Sequence, residues 1–100
     1  MTTTKKLAPI HPGEVLMEDF IEGFKITQNK LAVSIGVPPR RINEIVHGKR
    51  AITADTALRL GKYFGISAQF WLNLQTHYDL DLAEDRVADQ IDAITPLQVA

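Results

Sequence analysis

Apolar residues recur along this chain at helical spacing, three or four residues apart. Between residues 27 and 50 the apolar positions are Leu31, Ala32, Ile35, Ile42 and Ile45. Residues with this spacing lie on one face of a helix. Gly36 lies between the two groups and adopts a positive φ angle at no steric cost, so it ends the first helix. The pattern predicts two short helices joined by a tight turn, with the second opening at Pro38 and Pro39.

One helix is predicted before this pair. Pro12 suits the first helical position, and Glu14 lies in the first turn, where the helix dipole favours an anion. The expected inward side chains of this helix are Val15, Leu16, Phe20, Ile21 and Phe24.

Two helices are predicted after the pair. Thr53 caps the fourth helix, which stops at Gly65, and Ser67 caps the fifth, which is expected to end near residues 82–85. The fourth carries Ala57, Leu58, Leu60 and Phe64 on its apolar side, and the fifth carries a stripe of Phe70, Trp71, Leu74, Tyr78 and Leu82. Leu72 and Leu80 fall off that stripe, and we expect them to form a dimer interface.

No convincing strand pattern occurs, so the expected fold is all-α, a compact five-helix domain. A sixth helix over residues 86–95 is the alternative. The expected organisation is a flexible arm at residues 1–10, a helix-turn-helix domain with a C-terminal dimerisation helix at 11–85, and a tail at 86–100.

Charge is divided unevenly along the chain, although the net charge is only −1. Residues 1–62 hold ten of the 11 lysines and arginines against six acidic residues, whereas residues 63–100 hold only Arg86 against the other six. Phosphate attraction depends on the local field, so the first part is suited to nucleic acid. The absence of cysteine fits a reducing cytoplasm, and neither a signal peptide nor an apolar run of membrane-spanning length is present. The expected location is the cytoplasm, with nucleoid association as the counterpart of DNA binding.

The polar face of the third helix carries the chemistry expected of DNA recognition. A helical wheel places Ile42 and Ile45 inward, which leaves the polar residues outward. Arginine pairs with guanine and asparagine with adenine, while Glu44 either accepts from cytosine or holds an arginine in place. The expected base-reading residues are Arg40, Arg41, Asn43 and Glu44. The expected phosphate contacts, at the start of the second helix and the end of the third, are Thr27, Gln28, Asn29, His47, Lys49 and Arg50.

Other chemistry has little support in the sequence. His11, His47 and His77 are 36 and 30 residues apart and have no ligand-like spacing, so we expect no metal. No nucleophile–base set, phosphate-cradling glycine loop or catalytic carboxylate pair stands out, so we expect neither a cofactor nor an enzyme.

Several motifs together carry a family resemblance. They are HPGEVL at residues 11–16, TQ at 27–28, RINEI at 41–45, GKR at 48–50, ITADTALRL at 52–60, FWLNLQ at 70–75 and YDL at 78–80. Residues 27–65 resemble the Cro/phage-repressor class of lambda-repressor-like helix-turn-helix domains. Over residues 9–83 the chain is similar to HigA/VapI-type antitoxins. The resemblance implies a homodimer that binds a palindromic operator in its own promoter and neutralises a HigB-type, mRNA-cleaving toxin.

Two other functions remain open on the sequence alone. One is a stand-alone transcriptional regulator that has no toxin. The other is a protein-interaction module without significant DNA binding, which the acidic last third and the two off-stripe leucines would serve.

Overall fold

The computed structural model describes residues 8–98, and all regular structure within that range is helical. The helices are α1 (Pro12–Val15), which continues into a π-helical segment (Leu16–Ile21), α2 (Gln28–Ile35), α3 (Pro39–Val46), α4 (Ala54–Phe64) and α5 (Ala68–Asp92). α2 packs on α3 and α4, α4 packs on α5, and α1 contacts both α3 and α5. This confirms the predicted all-α fold. Of the predicted arm, residues 1–7 lie outside the described residues.

The predicted helix ends are formed by short polar caps and left-handed glycines. The hydroxyl of Thr27 accepts a hydrogen bond from Lys30 N at 3.0 Å, and that of Thr53 accepts one from Thr56 N at 3.4 Å. Gly36 and Gly65 end α2 and α4 with φ angles of 73° and 74°. Each cap satisfies backbone groups that the helix itself leaves unpaired.

The core is built around Trp71, whose side chain is fully buried. Its ring centroid lies 4.7 Å from that of Phe20, 5.1 Å from that of Phe70 and 6.1 Å from that of Phe64. The predicted inward residues that are buried are Leu16, Phe20, Ile21, Leu31, Ala32, Ile35, Ile42, Ile45, Ala57 and Leu60.

Three residues predicted to point inward are instead at the surface, and one of them is Leu82 of α5, which is 37% exposed. Leu58 is 65% exposed, because the buried side of α4 is the Ala57–Leu60 side and Leu58 lies off it. Phe24 is 60% exposed because it follows the last turn of the first helical region, where its ring stacks on Phe64 at 5.7 Å.

Helix α5 is longer than predicted. It continues to Asp92, with a break at Val87 (φ −120°, ψ 19°) where the predicted sixth helix would begin. Leu72 is half-buried against the core of its own chain, whereas Leu80 is 57% exposed. Of the two leucines expected at a dimer interface, Leu80 therefore presents the larger free surface.

Candidate nucleic-acid interface

The turn between α2 and α3 fixes the angle between the two helices. Gly36 takes the left-handed conformation, and Val37 N then donates back to Ala32 O at 3.0 Å. Val37 and Ala32 are both buried, and the small alanine side chain lets α2 approach its neighbours closely. Pro38 caps α3 and Pro39 fills its first position, where a proline leaves no helical hydrogen bond unmade.

Helix α3 has one buried face and one exposed face, as predicted. Ile42 and Ile45 are completely buried, which fixes the helix to the core. The side chain of Arg40 is 85% exposed, and Asn43 is also exposed. The helix is eight residues long and presents these side chains away from the protein. Such a helix has the dimensions and donors to enter a DNA major groove.

Glu44 occupies the centre of this polar face. Its Oε1 accepts from Arg50 Nε at 2.8 Å and its Oε2 accepts from Arg40 Nε at 3.0 Å. The hydrogen bonds from Arg50 and Arg40 lower the pKa of Glu44. With both carboxylate oxygens engaged, the geometry favours the second role considered for Glu44, that of holding arginines in place.

Two further contacts tie the exposed face to neighbouring helices. Asn43 Nδ2 donates to Gln28 Oε1 at 3.3 Å, which joins α3 to the start of α2. Arg41 donates to Asp55 Oδ2 at 3.2 Å, and Arg59 donates to the same oxygen at 3.0 Å. Thus Arg41 lies towards α4, on the flank of the polar face.

The phosphate-contact candidates surround both ends of the helix pair. Asn29, Lys49 and Thr27 are exposed, although the Thr27 hydroxyl already caps α2. His47 follows α3, and its Nδ1 lies 2.7 Å from Asn43 O. The structure therefore brings most of the predicted site residues to one surface, with Arg41 and Gln28 at its edges.

The sequence patterns did not predict the residues that pack against α3 on the side opposite its exposed polar face. Gly13 lies directly against the Ile45 carbonyl, so closely that a Cβ atom at this position would collide with that oxygen. His11 caps α1 by accepting from Gly13 N at 2.9 Å, and its ring packs edge-on against Tyr78 at 4.8 Å. The HPG run at residues 11–13 was the signal in the sequence, but only its role in starting a helix was predicted.

A second missed residue is Gln75, which is buried in α5. Its Oε1 accepts from Ile52 N at 2.8 Å, and its Nε2 donates to Asp79 Oδ1 at 3.0 Å. This side chain attaches the segment between α3 and α4 to α5. A glutamine within an apolar helical stripe gave no sequence signal for such a contact.

Residues 8–98 contain neither a metal-binding cluster nor a membrane-spanning helix. No group of three or more His, Asp or Glu side chains there is arranged to hold a metal ion. None of the helices in that part of the chain has the length and apolar character needed to cross a membrane.

Comparison with known proteins decides the family. The sequence pattern of the family described as "Helix-turn-helix" matches residues 18–71, which include α2, α3, α4 and the start of α5. Virulence-associated protein I of Dichelobacter nodosus is 50% identical over 92 residues, covering 92% of this chain and 84% of that protein. The chain belongs to the helix-turn-helix family, within its HigA/VapI group.

Two antitoxins are also similar to this helix-turn-helix protein. Antitoxin HigA-1 of Vibrio cholerae is 32% identical over 100% of this chain and 93% of its own length. The solved structure of Pseudomonas aeruginosa antitoxin HigA with the higBA promoter superimposes with a TM-score of 0.85 and 46% identity, covering 90% of this chain and 99% of that one. The likeness therefore extends well beyond the helix-turn-helix itself.

Proposed function

We propose that this protein is the antitoxin of a type II toxin–antitoxin pair and represses its own operon by binding DNA as a dimer. The observation that carries the proposal is the exposed polar face of α3, held rigidly by the buried Ile42 and Ile45. A similar antitoxin of Pseudomonas aeruginosa has been solved with a promoter, which supports the same use of this face.

On this proposal, α3 lies in the major groove. Arg40 pairs with a guanine and Asn43 with an adenine, while Glu44 and Arg41 fix the register. Thr27, Gln28 and Asn29 meet one phosphate strand through the start of α2, whose free N–H groups favour an anion. His47, Lys49 and Arg50 meet the backbone beyond the end of α3. In a dimer, two copies of α3 about 34–36 Å apart read a palindromic operator.

The second activity is neutralisation of a HigB-type, mRNA-cleaving toxin. Its support is the similarity to HigA antitoxins over nearly the whole chain. The protein works by binding alone, without an enzymatic activity or a cofactor of its own, and acts in the cytoplasm on nucleoid DNA. A stand-alone regulator is separated from an antitoxin by co-expression: the antitoxin restores growth to cells that express the neighbouring toxin gene, and a stand-alone regulator does not.

The DNA-binding part is tested by two substitutions with different expected signatures. Arg40→Ala removes a base contact, so it should weaken operator binding by about 1–3 kcal/mol and relax the preference at one base pair. Lys49→Ala removes a phosphate contact, so it should weaken binding to all DNA sequences alike. It should also reduce the slope of log K against log salt by about 0.9. Fluorescence anisotropy with operator and scrambled duplexes over a salt series measures both.

Arg86→Ala is the matched control, because it removes the one basic residue of the acidic last third and should leave both quantities unchanged. Operator binding by Arg40→Ala at wild-type strength would show that α3 does not read bases through this face.

A further inference from the structure

Arg59, in the middle of α4, contacts the turn between α2 and α3. Its Nη1 donates to Ile35 O at 2.8 Å and to Gly36 O at 3.4 Å. These carbonyls belong to the last residue of α2 and to its C-cap, where a helix leaves acceptors unpaired and its dipole favours a cation. Arg59 therefore caps α2 at the turn that sets the direction of α3.

A second contact of Arg59 leads to the flank of the polar face of α3. Its Nε donates to Asp55 Oδ2 at 3.0 Å, and the same oxygen accepts from Arg41 Nη1 at 3.2 Å. Asp55 lies one helical turn before Arg59 in α4, so the two side chains are neighbours on one helix face. The α2–α3 turn is thus joined to Arg41 through a continuous series of hydrogen bonds.

Arg41 is more enclosed than the neighbouring arginine of the same helix. The side chain of Arg41 is 30% exposed, whereas that of Arg40 is 85% exposed. Asp55 engages Nη1 of Arg41, and the donors on Nε and Nη2 of its planar guanidinium are left for DNA. A guanidinium held in one direction loses less entropy on binding, and it meets only the groups that lie in that direction.

Stability of the fold does not explain the position of Asp55. Its side chain is 58% exposed and that of Arg59 is 41% exposed, and ion pairs this exposed contribute little to stability. A carboxylate beside a DNA-binding surface also repels phosphates, so its charge alone would weaken binding to every sequence. The contribution that the geometry supports is orientation of Arg41.

We propose that Asp55 is a specificity-determining positioning residue. Arg59 holds it beside the α2–α3 turn, and its carboxylate fixes the direction in which Arg41 meets the operator. The inference rests on the proposed DNA-binding function and adds a residue outside the set predicted to contact DNA. Without this carboxylate, Arg41 still reaches DNA but bonds to any phosphate or base edge nearby.

The test compares Asp55→Asn, Arg41→Ala and the double variant in the full-length chain. Fluorescence anisotropy measures binding to a duplex of the DNA upstream of the chain's own operon and to a scrambled duplex of equal length. Asp55→Asn should strengthen binding to the scrambled duplex and lower the ratio of operator to scrambled affinity by about fivefold, a coupling typical of residues in contact. In the Arg41→Ala background the same substitution should change the ratio by less than about twofold, because the arginine that it orients is absent.

Asp19→Asn is the matched control, because it removes the charge of another exposed aspartate and should preserve the ratio. Thermal unfolding reports any loss of α4 stability, since Asp55 also lies in the first turn of that helix, where the dipole favours an acid. A lower unfolding temperature with an unchanged ratio would make Asp55 a structural residue and overturn the proposal.

Two further outcomes separate the positioning role from DNA recognition itself. An equal fall of the ratio with and without Arg41 overturns the proposal, because Asp55 would then act through another residue. If the wild-type chain binds both duplexes alike, the proposed DNA-binding function fails. A wild-type preference that Asp55→Asn retains in full removes only the positioning role.

Discussion

In the DNA-free protein, the Glu44 carboxylate holds the side chains of Arg40 and Arg50 in place. This carboxylate accepts from Arg40 at 3.0 Å and from Arg50 at 2.8 Å, and these bonds lower its pKa. Exposed ion pairs contribute little to stability, so their value here is orientation. An arginine whose direction is fixed loses less entropy when it pairs with a base.

Glu44→Gln should therefore change specificity more than affinity. Loss of the negative charge beside the phosphates should strengthen binding to scrambled DNA, while loss of the carboxylate should let Arg40 and Arg50 move. We expect the ratio of operator to scrambled affinity to fall several-fold, as measured by anisotropy at one salt concentration. Glu22→Gln removes an equivalent exposed charge away from α3 and should preserve the ratio. An unchanged ratio in Glu44→Gln would mean that the pairing has no role in recognition.

His11 makes the stability of the domain depend on pH. Burial lowers its pKa from the ordinary value of 6.5, although the carboxylates of Glu14 and Asp79 act in the opposite direction. The unfolded chain then binds more protons than the folded chain just below pH 6.5. The stabilisation is complete above about pH 6.5 and is lost as the pH falls towards the lowered pKa of the folded state.

His11→Asn isolates the contribution of His11 to the pH dependence of the free energy of unfolding. Asparagine is a good N-cap and does not titrate, so the helix start is retained without the imidazole. In urea unfolding at pH 7.5 and pH 5.5, the wild type should lose more stability than His11→Asn does between the two pH values. The exposed His47 and His77 are present in both proteins and cancel in the difference. Equal losses would show that His11 is protonated equally in the folded and unfolded chains.

At the scale of helices, α1 packs against the end of α3. Gly13 lies against the Ile45 carbonyl, and the ring of His11 lies beside Gly48, just after α3. The short α1 thus supports the helix that is proposed to read DNA, although α1 itself presents none of the predicted DNA-contacting residues.

Gly13→Ala should displace α1 from the end of α3. The added Cβ would collide with the backbone at Ile45, and overpacking of a core contact costs about 1–3 kcal/mol. Operator affinity should fall as well, because α3 must shift. Gly65→Ala is the comparison: nothing lies within 4 Å of its added Cβ, so only the left-handed backbone costs about 1–2 kcal/mol, and DNA binding should survive. Thermal unfolding and operator titration of the two variants distinguish a displaced α3 from a general loss of stability.

The sequence predicted those elements whose signals are local. Thr27, Thr53 and Ser67 identified the helix starts, Gly36 and Gly65 identified two ends, and the spacing of Ile42 and Ile45 oriented α3 correctly. Contacts between distant residues left no local pattern. The Arg41–Asp55 pair and the Gln75–Ile52 bond join residues 14 and 23 positions apart, so they became visible only once the helices were packed.

The length of α5 also could not be predicted from local sequence patterns. The apolar stripe ends where the helix leaves the core, and the prediction therefore stopped near residues 82–85. The helix itself continues to Asp92 across a break at Val87, close to the start of the separate helix over residues 86–95 that was the alternative. Amphipathic periodicity reflects burial against the rest of the chain, so it underestimates the length of a helix that projects beyond the core.

At the scale of the whole molecule, the basic residues lie almost entirely in residues 1–62, which leaves the α5 region acidic and separate from the proposed DNA-binding surface. Helix α5 is the expected dimer surface. Leu80 is its most exposed apolar side chain, whereas Leu72 already contacts its own core.

Leu80→Glu should therefore convert the dimer into a monomer, because it places a charge in the expected interface. A monomer contacts one half-site instead of two, so operator affinity should fall and the slope of log K against log salt should decrease by about half. Light scattering and a salt series of operator titrations measure the two effects. Leu58→Glu, at a residue 65% exposed on α4, makes the same change elsewhere and should remain dimeric. If Leu58→Glu separates the chains and Leu80→Glu does not, the dimer forms through α4 and the α5 surface is free for other partners.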